Sequence, residues 1–271
     1  MERHTRRDAG EGVGVFGAAG RMGQAVCNAV IEADGLELVA AIDPAAAGRS
    51  IGEFLPGADL VIAGSPQALL DARADVVVDF TVLSAARSNL LWCAENGVHC
   101  VVGTTGFSDE DLASFRGAFD ASSANALIAA NFAIGAVLMM RFAELAAPWF
   151  ETAEIIELHH DAKADAPSGT AVVTAQRMAL ASGEWAPDPT QTVIAEGARG
   201  GLVADAIRVH SVRLRGLVAH QEVLLGTTGQ SLSIRHDSYE RSSFMPGVVL
   251  AVREVANLPG LTLGLDSLLG L

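Results

Sequence analysis

Cysteine is scarce in this sequence, and there is no disulfide framework. The 271 residues include only Cys27, Cys93 and Cys100, and none of these belongs to a Cys-x-x-Cys pair. So few cysteines argue against a disulfide-stabilised secreted protein, and reduced thiols in a cytosolic protein are the simplest interpretation. We therefore expect a cytoplasmic location, and we assign no residue to a metal site.

Positive charge is also scarce. The chain has 18 Lys and Arg residues against 32 Asp and Glu residues, which gives a formal net charge of −14 at pH 7. So acidic a protein is a poor partner for nucleic acid or for an anionic membrane surface, and we expect neither. If the ligand is itself an anion, its site must create a local positive field within an acidic protein.

Long apolar runs are missing too. The longest, residues 126–140, contains Asn131 and stops at Arg141, so it is too short to cross a bilayer and is interpreted as a buried strand followed by a helix. Residues 1–10 carry three arginines with no apolar stretch behind them, which predicts a short polar tail rather than a signal peptide. Half of the residues are apolar, enough for the core of one large domain or two modest ones.

The chain opens with a predicted strand, a glycine-rich turn and a helix. Residues 13–16 form a short apolar strand, and apolar residues then recur at helical spacing. A second strand, residues 36–42, ends at Asp43, about twenty positions beyond the last glycine. Such glycines let the backbone approach a pyrophosphate at the helix N-terminus, and the acid holds the adenosine ribose. The pattern predicts a dinucleotide site formed by Gly17, Ala18, Ala19, Gly20, Arg21, Met22, Gly23 and Asp43.

A glycine-rich turn that only lets a helix pack on a strand is the alternative. The strand before the turn, the helix after it and the acid beyond it favour dinucleotide binding when they occur together. The residue after Asp43 is Pro44, which can neither donate to a phosphate nor pair with it. We therefore expect a dinucleotide without a ribose phosphate to be used at least as well as one that carries the phosphate. Arg21 and Arg49 are the residues that could reverse this preference.

The alternation of strands and helices continues along the first half. The predicted strands are residues 75–81, 98–102 and 126–129. The predicted helices are residues 84–96, which Gly97 closes, and one that Ser108 opens with a capping box. The strands end in polar residues at Thr81, Gly103 and Asn131. A doubly wound sheet binds its ligand at the carboxyl ends of its strands, so these turns are expected at the ligand site.

The second half has a different composition. A helix is predicted from Ala133 to about Ala147, and another over residues 170–182. Residues 209–215, 217–225 and 231–236 alternate in the period-two manner of antiparallel strands, and residues 244–256 are predicted to be a helix. We predict an α/β protein with a Rossmann-type doubly wound parallel sheet in residues 1–130. Residues 131–243 are predicted to form an α+β substrate-binding and oligomerisation domain with a mixed or antiparallel sheet.

Residues 154–171 concentrate polar and cationic groups between a strand-like run and a helix. Ser168, after Pro167, is a natural N-cap, and the amides of Gly169 and Thr170 would form an anion site with the helix dipole. A strand end, a solvated loop and a capped helix without function are the alternative. The stretch also contains two titratable groups and a cation, which would suit a small carboxylate substrate: His159, His160 and Lys163.

This segment resembles the signature of the dihydrodipicolinate reductase (4-hydroxy-tetrahydrodipicolinate reductase) family. The signature consists of a glutamate, a His-His pair, two variable residues, a lysine, one further residue and Asp-x-Pro-Ser-Gly-Thr-Ala, and every fixed position is filled here. The resemblance extends from Val13 to near the C-terminus. It implies a homotetramer that reduces 4-hydroxy-tetrahydrodipicolinate, an anionic dicarboxylate, with NADH or NADPH in diaminopimelate and lysine biosynthesis. It also implies that residues 244–271 complete the first domain.

The resemblance implies roles for individual residues. His159 is the leading candidate for the acid and Lys163 for its electrostatic partner, although the spacing leaves open which of them delivers the proton. The substrate would be held by His160, Ser168, Gly169, Thr170 and Arg241. The nicotinamide end of the cofactor would be lined by Phe80, Thr81, Gly103, Thr104, Thr105, Ala130, Asn131 and Phe132.

Several of these residues also have an alternative interpretation in which they serve only the structure. Phe132 would be a core aromatic by itself, Arg241 an ordinary surface arginine, and His220 a structural strand histidine. Two other functions are weighed against the reductase. A different two-domain dehydrogenase has no reason to carry the complete segment, and a dinucleotide sensor without activity should have lost His159 or Lys163.

Overall fold

The computed structural model describes residues 10–271, so the predicted polar tail lies, except for Gly10, outside the described residues. The chain folds into two compact units. The first comprises the described residues up to Phe132 together with Phe244–Leu271, and the second is Ala133–Ser243. The first unit therefore contains the glycine-rich turn, and the second contains the segment at residues 154–171.

Strands and helices alternate along the first unit. The strands are β1 (Glu11–Phe16), β2 (Leu36–Ile42), β3 (Val76–Asp79), β4 (His99–Val102) and β5 (Ala126–Ile128). The helices are α1 (Arg21–Glu32), α2 (Gln67–Asp71), α3 (Leu83–Asn96) and α4 (Asp109–Asp120). Local signals account for the helix ends: Gly97 adopts a left-handed φ of 71° after α3, and Ser108 and Asp111 form the capping box of α4. The short helix α2 is not anticipated by the sequence pattern.

The second unit contains a mixed sheet and two long helices. Its helices are α5 (Ile134–Ala146) and α6 (Gly169–Ala181). Its strands are β6 (Thr152–His159), β7 (Gly201–Ala204), β8 (Ile207–Arg213), β9 (Ala219–Thr227) and β10 (Gln230–Ser238). The strand order is β10-β9-β6-β8-β7, with β6 parallel to β8 and the other neighbours antiparallel. The strand β7 is not anticipated by the sequence pattern; its residues Gly201 and Leu202 pair with β8.

The chain then returns to the first unit through α7 (Met245–Glu254) and β11 (Leu261–Leu263). The strand β11 was not predicted; it pairs in parallel with β5 and completes a sheet in the order β11-β5-β4-β3-β1-β2. All neighbouring strands in this sheet are parallel. The order reverses beside β1, which lies between β2 and β3. The predicted fold class, a doubly wound parallel sheet with a second α+β unit, is confirmed.

The two faces of the second sheet differ. On one face Ile155, Val209 and Val223 are buried against Ala171 and Ala175 of α6, together with residues of α5. Because strand side chains alternate, Glu157 and His159 lie on this same face. The opposite face carries Glu154, Ile156, Leu158 and Leu224, which are half-buried, and no helix of the second unit packs on it.

Gly23 in α1 is required by a close approach of the backbone. A Cβ at this position would collide with the carbonyl oxygen of Gly17, whereas Gly117 in α4 is exposed and has open space at the same point. We expect Gly23→Ala to lower the free energy of unfolding by about 1–3 kcal/mol, the usual cost of overpacking. The matched control Gly117→Ala should raise it by about 0.5–1 kcal/mol, since alanine is the better helix former.

Urea denaturation followed by circular dichroism measures both free energies. An equal effect of the two substitutions would contradict the close approach at Gly23.

Candidate active site

The glycine-rich turn of the first unit has the geometry of an anion receptor. Gly17 has a φ of 65°, a left-handed conformation, and its carbonyl accepts a hydrogen bond of 2.9 Å from the amide of Gly20. The helix α1 begins immediately afterwards, and its N-cap Gly20 provides no side-chain cap. The first amides of α1 are therefore available to an anion, and the helix dipole favours one there.

Asp43 is brought to this turn by β2. Its Oδ2 accepts a hydrogen bond of 3.3 Å from the amide of Ala19, and its Oδ1 accepts one of 3.1 Å from Ala45. The carboxylate thus lies beside the glycine-rich turn. A pyrophosphate receptor with an acid at the end of the next strand fits a dinucleotide.

The strand ends further along the sheet are linked to one another. The buried carboxylate of Asp79 accepts hydrogen bonds of 2.7 Å from the Thr81 amide and from the Asn89 side chain. The hydroxyl of Thr104 donates to the Thr81 carbonyl at 2.8 Å, which joins the turns after β3 and β4. These bonds fix two of the turns that were expected near the nicotinamide.

Close packing explains the glycine in the turn after β4. A Cβ at Gly103 would collide with the ring of Phe80, and that ring lies 5.4 Å from the ring of Phe132, between centroids. Phe132 is 1 % exposed, which fits the core interpretation of its side chain. Ala130 is exposed and Asn131 half-buried, so these two are more open to a ligand than Phe132.

In the second unit the buried carboxylate of Glu157 contacts His159. The Glu157 side chain is fully buried, and its Oε2 lies 2.5 Å from Nδ1 of His159. Arg213 of β8 donates to both oxygens of this carboxylate, at 2.9 and 2.8 Å. The register of the parallel strands, in which His159 pairs with Arg213, brings the guanidinium to this position.

The same carboxylate reaches the start of α6. Its Oε1 accepts a hydrogen bond of 3.2 Å from the amide of Ser168, whose own hydroxyl caps the helix by accepting from Ala171 at 3.3 Å. Gly169 and Thr170 form the first turn of α6. The predicted N-cap is thus present, and the helix N-terminus is tied to the strand that carries His159.

Burial and neighbouring groups together set the pKa values of Glu157 and His159. Burial raises the pKa of Glu157, but hydrogen bonds from Arg213, Ser211 and His159 outweigh burial and hold that pKa below its ordinary value. Burial lowers the pKa of His159 below its ordinary value, and the Glu157 carboxylate opposes this effect. Positive charges at Lys163 and Arg213 act in the same direction as burial. Glu157 is therefore an ionised carboxylate in a charge-paired site.

Comparison with known proteins identifies the family. The descriptions of the matching family models are "Dihydrodipicolinate reductase, N-terminus", over residues 12–132, and "Dihydrodipicolinate reductase, C-terminus", over residues 135–269. The chain belongs to the dihydrodipicolinate reductase family.

Individual relatives agree with this membership. The chain is 53% identical to a 4-hydroxy-tetrahydrodipicolinate reductase of Nocardia farcinica, with 96% of this chain and 98% of the relative covered. It is 54% identical to one of Thermobifida fusca, with 96% and 99% covered. A solved dipicolinate-bound dihydrodipicolinate reductase from Paenisporosarcina is 39% identical, with a TM-score of 0.83 and coverage of 95% and 99%. An amine dehydrogenase of Mycobacterium smegmatis, 14% identical with a TM-score of 0.66 and 96% of each chain covered, shares the fold.

The expected substrate residues do not all lie in one cluster. His159 and Ser168 contact the Glu157 carboxylate. Lys163 lies in the loop between them, with its Nζ 2.8 Å from both oxygens of Asp165. His160 is exposed, and its carbonyl accepts a hydrogen bond of 3.2 Å from the Lys163 amide. Arg241 lies exposed in a 3-10 turn at residues 241–244, and it is not among the groups that bind the Glu157 carboxylate.

Two further polar residues of the second unit have structural contacts. His220 binds Asp237 through Nδ1 at 2.7 Å and accepts from the Val218 amide at Nε2, so both ring nitrogens are used within the fold. This fits its structural interpretation. Arg199, in the loop before β7, forms ion pairs with Glu154 and Asp188 and holds that loop on the sheet.

Reasoning from the sequence missed Glu157 and Arg213. The signal for Glu157 was available, since a residue two positions before His159 in a strand shares its face. No local signal marked Arg213, because its position follows from the pairing of β6 with β8.

Among residues 10–271 there is no group of three or more His, Cys, Asp and Glu that could hold a metal, and no helix there is long and apolar enough to cross a membrane.

Proposed function

We propose that this chain reduces 4-hydroxy-tetrahydrodipicolinate to tetrahydrodipicolinate with NADH or NADPH, in diaminopimelate and lysine biosynthesis. The reaction adds a hydride and a proton and releases water. The observation that carries this proposal is the identity of 53% over nearly the whole length of a relative with that name. A dinucleotide sensor without activity is disfavoured, because His159 still adjoins a buried carboxylate and a capped helix N-terminus.

The substrate is a small dicarboxylate, and the second unit offers it donors. The amides of Gly169 and Thr170 belong to the first turn of α6, where an anion is favoured. Lys163 is paired with Asp165, whose side chain is 61% exposed. An exposed pair of this kind contributes little, so Lys163 can exchange Asp165 for a substrate carboxylate. The further residues that we assign to the substrate are His160, Ser168 and Arg241.

His159 is the residue that we assign as the acid. Burial keeps its pKa below the ordinary value in the free protein. A substrate carboxylate placed beside the ring favours the charged imidazolium, because an opposite charge stabilises the protonated form. Binding of the anionic substrate would therefore prepare the proton that the reaction consumes. Lys163 then stabilises the negative charge that develops on the substrate.

The first unit is assigned to the cofactor. When bound, the reduced nicotinamide supplies the hydride. The glycine-rich turn holds the pyrophosphate, and Asp43 holds the ribose. The residues assigned to this turn are Gly17, Ala18, Ala19, Gly20, Arg21, Met22 and Gly23. Those assigned to the nicotinamide end are Phe80, Thr81, Gly103, Thr104, Thr105, Ala130, Asn131 and Phe132, of which Phe132 contributes through packing.

The test is oxidation of NADH or NADPH by the purified protein in the presence of dihydrodipicolinate synthase product. His159→Ala and Lys163→Ala should each lower kcat by about 10²–10⁴-fold, the usual contribution of an acid or an electrostatic group. Both should leave the Kd for NADH nearly unchanged, since they lie in the other unit. Wild-type kcat in either variant would contradict its role, and no cofactor oxidation by folded wild-type protein would overturn the proposed function.

Substrate binding can be followed separately from turnover. Lys163 is the only lysine in the chain, so lysine-selective ¹⁵N labelling gives a single backbone amide signal from this segment. Titration with dipicolinate should shift that signal in the wild type. Without a shift, the assignment of residues 159–170 to the substrate would be wrong.

The cofactor preference is expected to favour NADH. Asp43 accepts hydrogen bonds from ribose hydroxyls but repels the extra phosphate of NADPH. Arg49 is paired with Glu53 at 2.5 Å, whereas Arg21 is exposed in the first turn of α1. An exposed pair contributes little, so both arginines are candidates for a phosphate contact. We expect kcat/KM for NADH to equal or exceed that for NADPH at one fixed salt concentration, since ions screen phosphate recognition.

A tenfold or greater preference for NADPH would contradict this expectation. Comparison of Arg21→Ala with Arg49→Ala would then identify the arginine responsible, because only the variant that removes the phosphate contact should lose the preference.

We also propose that the protein is a cytoplasmic homotetramer assembled through the second unit. The three cysteines are free and buried, which suits a reducing compartment. The face of the second sheet on which no helix of the second unit packs carries the half-buried Ile156, Leu158 and Leu224, and β10 is an edge strand that needs cover. Light scattering at micromolar concentration should give four times the chain mass of 28.0 kDa.

The variant Ile156→Glu places a charge on the sheet face that lacks a packed helix, and it should reduce the mass measured by light scattering. The control Ile31→Glu changes an exposed isoleucine of the first unit, 48% exposed, and should leave the mass unchanged. A monomeric wild type would contradict the assembly.

A further inference from the structure

Glu157 makes contacts that a purely structural ion pair does not require. Its carboxylate is bound by the Arg213 guanidinium, by the Ser168 amide and by Nδ1 of His159. We propose that Glu157 is a positioning residue that holds His159 in one tautomer and couples it to the N-terminus of α6. This inference rests on the proposed function for its catalytic consequence, although the geometry of the pair stands without it.

The tautomer follows from the chemistry of the partners. An ionised carboxylate can only accept hydrogen bonds, so the 2.5 Å contact requires a proton on Nδ1 of His159. Arg213 donates to both carboxylate oxygens, which keeps the carboxylate ionised and fixes its orientation. Because Nδ1 is protonated in both charge states of the ring, Nε2 is the nitrogen that gains and releases the proton.

The coupling follows from the second contact. Oε1 of Glu157 accepts from the Ser168 amide, the residue before the anion-binding turn of Gly169 and Thr170. Arg213 also donates to the Asp165 carbonyl at 2.6 Å, which holds the loop before that turn. One carboxylate therefore sets the position of the acid on β6 and of the anion receptor on α6. The loop between them is largely exposed, so the contact of Glu157 with the Ser168 amide provides the buried connection between the two groups.

Three charged groups act on the pKa of His159. These groups are Glu157 on the same strand, Arg213 on β8 and Lys163 in the loop. Glu157 favours the imidazolium, whereas burial and the two cations oppose it. His159 donates a proton only when protonated, so activity falls as the pH rises through its pKa. Loss of the Glu157 charge lowers that pKa, and the fall in activity should move to lower pH.

The strand offers a matched control. Glu154 lies on β6, three residues before Glu157, and its side chain faces the other side of the sheet. It too binds an arginine and a histidine, with its oxygens 2.5 Å from Arg199 Nη2 and 2.6 Å from His210 Nε2. Glu154→Gln therefore breaks the same kind of cluster without touching His159.

The kinetic experiment compares Glu157→Gln with Glu154→Gln in protein of the same oligomeric state. We expect Glu157→Gln to lower kcat by about 10- to 100-fold, comparable with the loss of a residue that orients a catalytic ligand, and to move the fall in activity to lower pH. The Kd for NADH should not change. Glu157→Asp keeps the charge and should restore the pH profile in part. Glu154→Gln should keep the wild-type kcat and pH profile.

A second measurement depends neither on turnover nor on a Glu157 variant. Histidine-selective ¹⁵N labelling with two-bond ¹H–¹⁵N spectra reports the tautomer of His159, assigned through His159→Gln. The wild type should carry its neutral-state proton on Nδ1. A wild-type ring protonated on Nε2 instead would overturn the inference, as would a wild-type pH profile in folded Glu157→Gln. If the wild type lacks reductase activity but has the Nδ1 tautomer, the proposed function falls and the Glu157–His159 pairing stands.

Discussion

The buried carboxylate of Glu157 constrains several elements of the second unit at once. A buried charge is costly unless it is paired and hydrogen-bonded, and Glu157 meets this requirement by binding groups from three elements. Arg213 comes from β8, Ser168 from the start of α6 and His159 from the same strand. Satisfying the carboxylate therefore aligns a strand pair, a helix N-terminus and a titratable ring. The position of the proposed active site is a consequence of that pairing.

The scarcity of positive charge makes this arrangement informative. The chain has a net charge of −14, yet the proposed substrate is a dianion. The cations near His159 are largely compensated, since Lys163 contacts Asp165 and Arg213 contacts Glu157. Attraction of the proposed substrate would then come from the amides of α6, from exchange of Lys163 between partners and from the exposed Arg241 that we assign to the substrate.

The first unit depends on close approaches of the backbone. Gly23 accommodates the carbonyl of Gly17, and Gly103 accommodates the ring of Phe80. Neither contact involves charge, and both leave the turns at the strand ends in fixed positions. The carboxylate of Asp43 is then brought beside the amide of Ala19 by the length of β2. The geometry of the proposed cofactor site therefore depends on the missing side chains of Gly23 and Gly103 as well as on the residues that would contact a cofactor.

Local patterns in the sequence determined much of this protein. Glycine and an acid at set spacing predicted the first βαβ unit, Ser108 and Ser168 marked two helix starts, and period-two alternation indicated strands in the second half. These features depend on neighbours along the chain, so the residues themselves specify them. The strands β7 and β11 were not predicted. The strands β3, β4 and β5 are as short, but they lie in an alternation of strands and helices that indicated them.

Only the tertiary structure decided the partners of Glu157. Arg213 lies 56 residues further along the chain, and the register between β6 and β8 brings the two side chains together. The same holds for β11, which joins β5 from the far end of the chain. Pairing between distant strands is selected by the packing of whole sheets and helices, and no local pattern records it. The sequence by itself therefore determined the family signature and the candidate acid, and the sheet register decided what holds that acid in place.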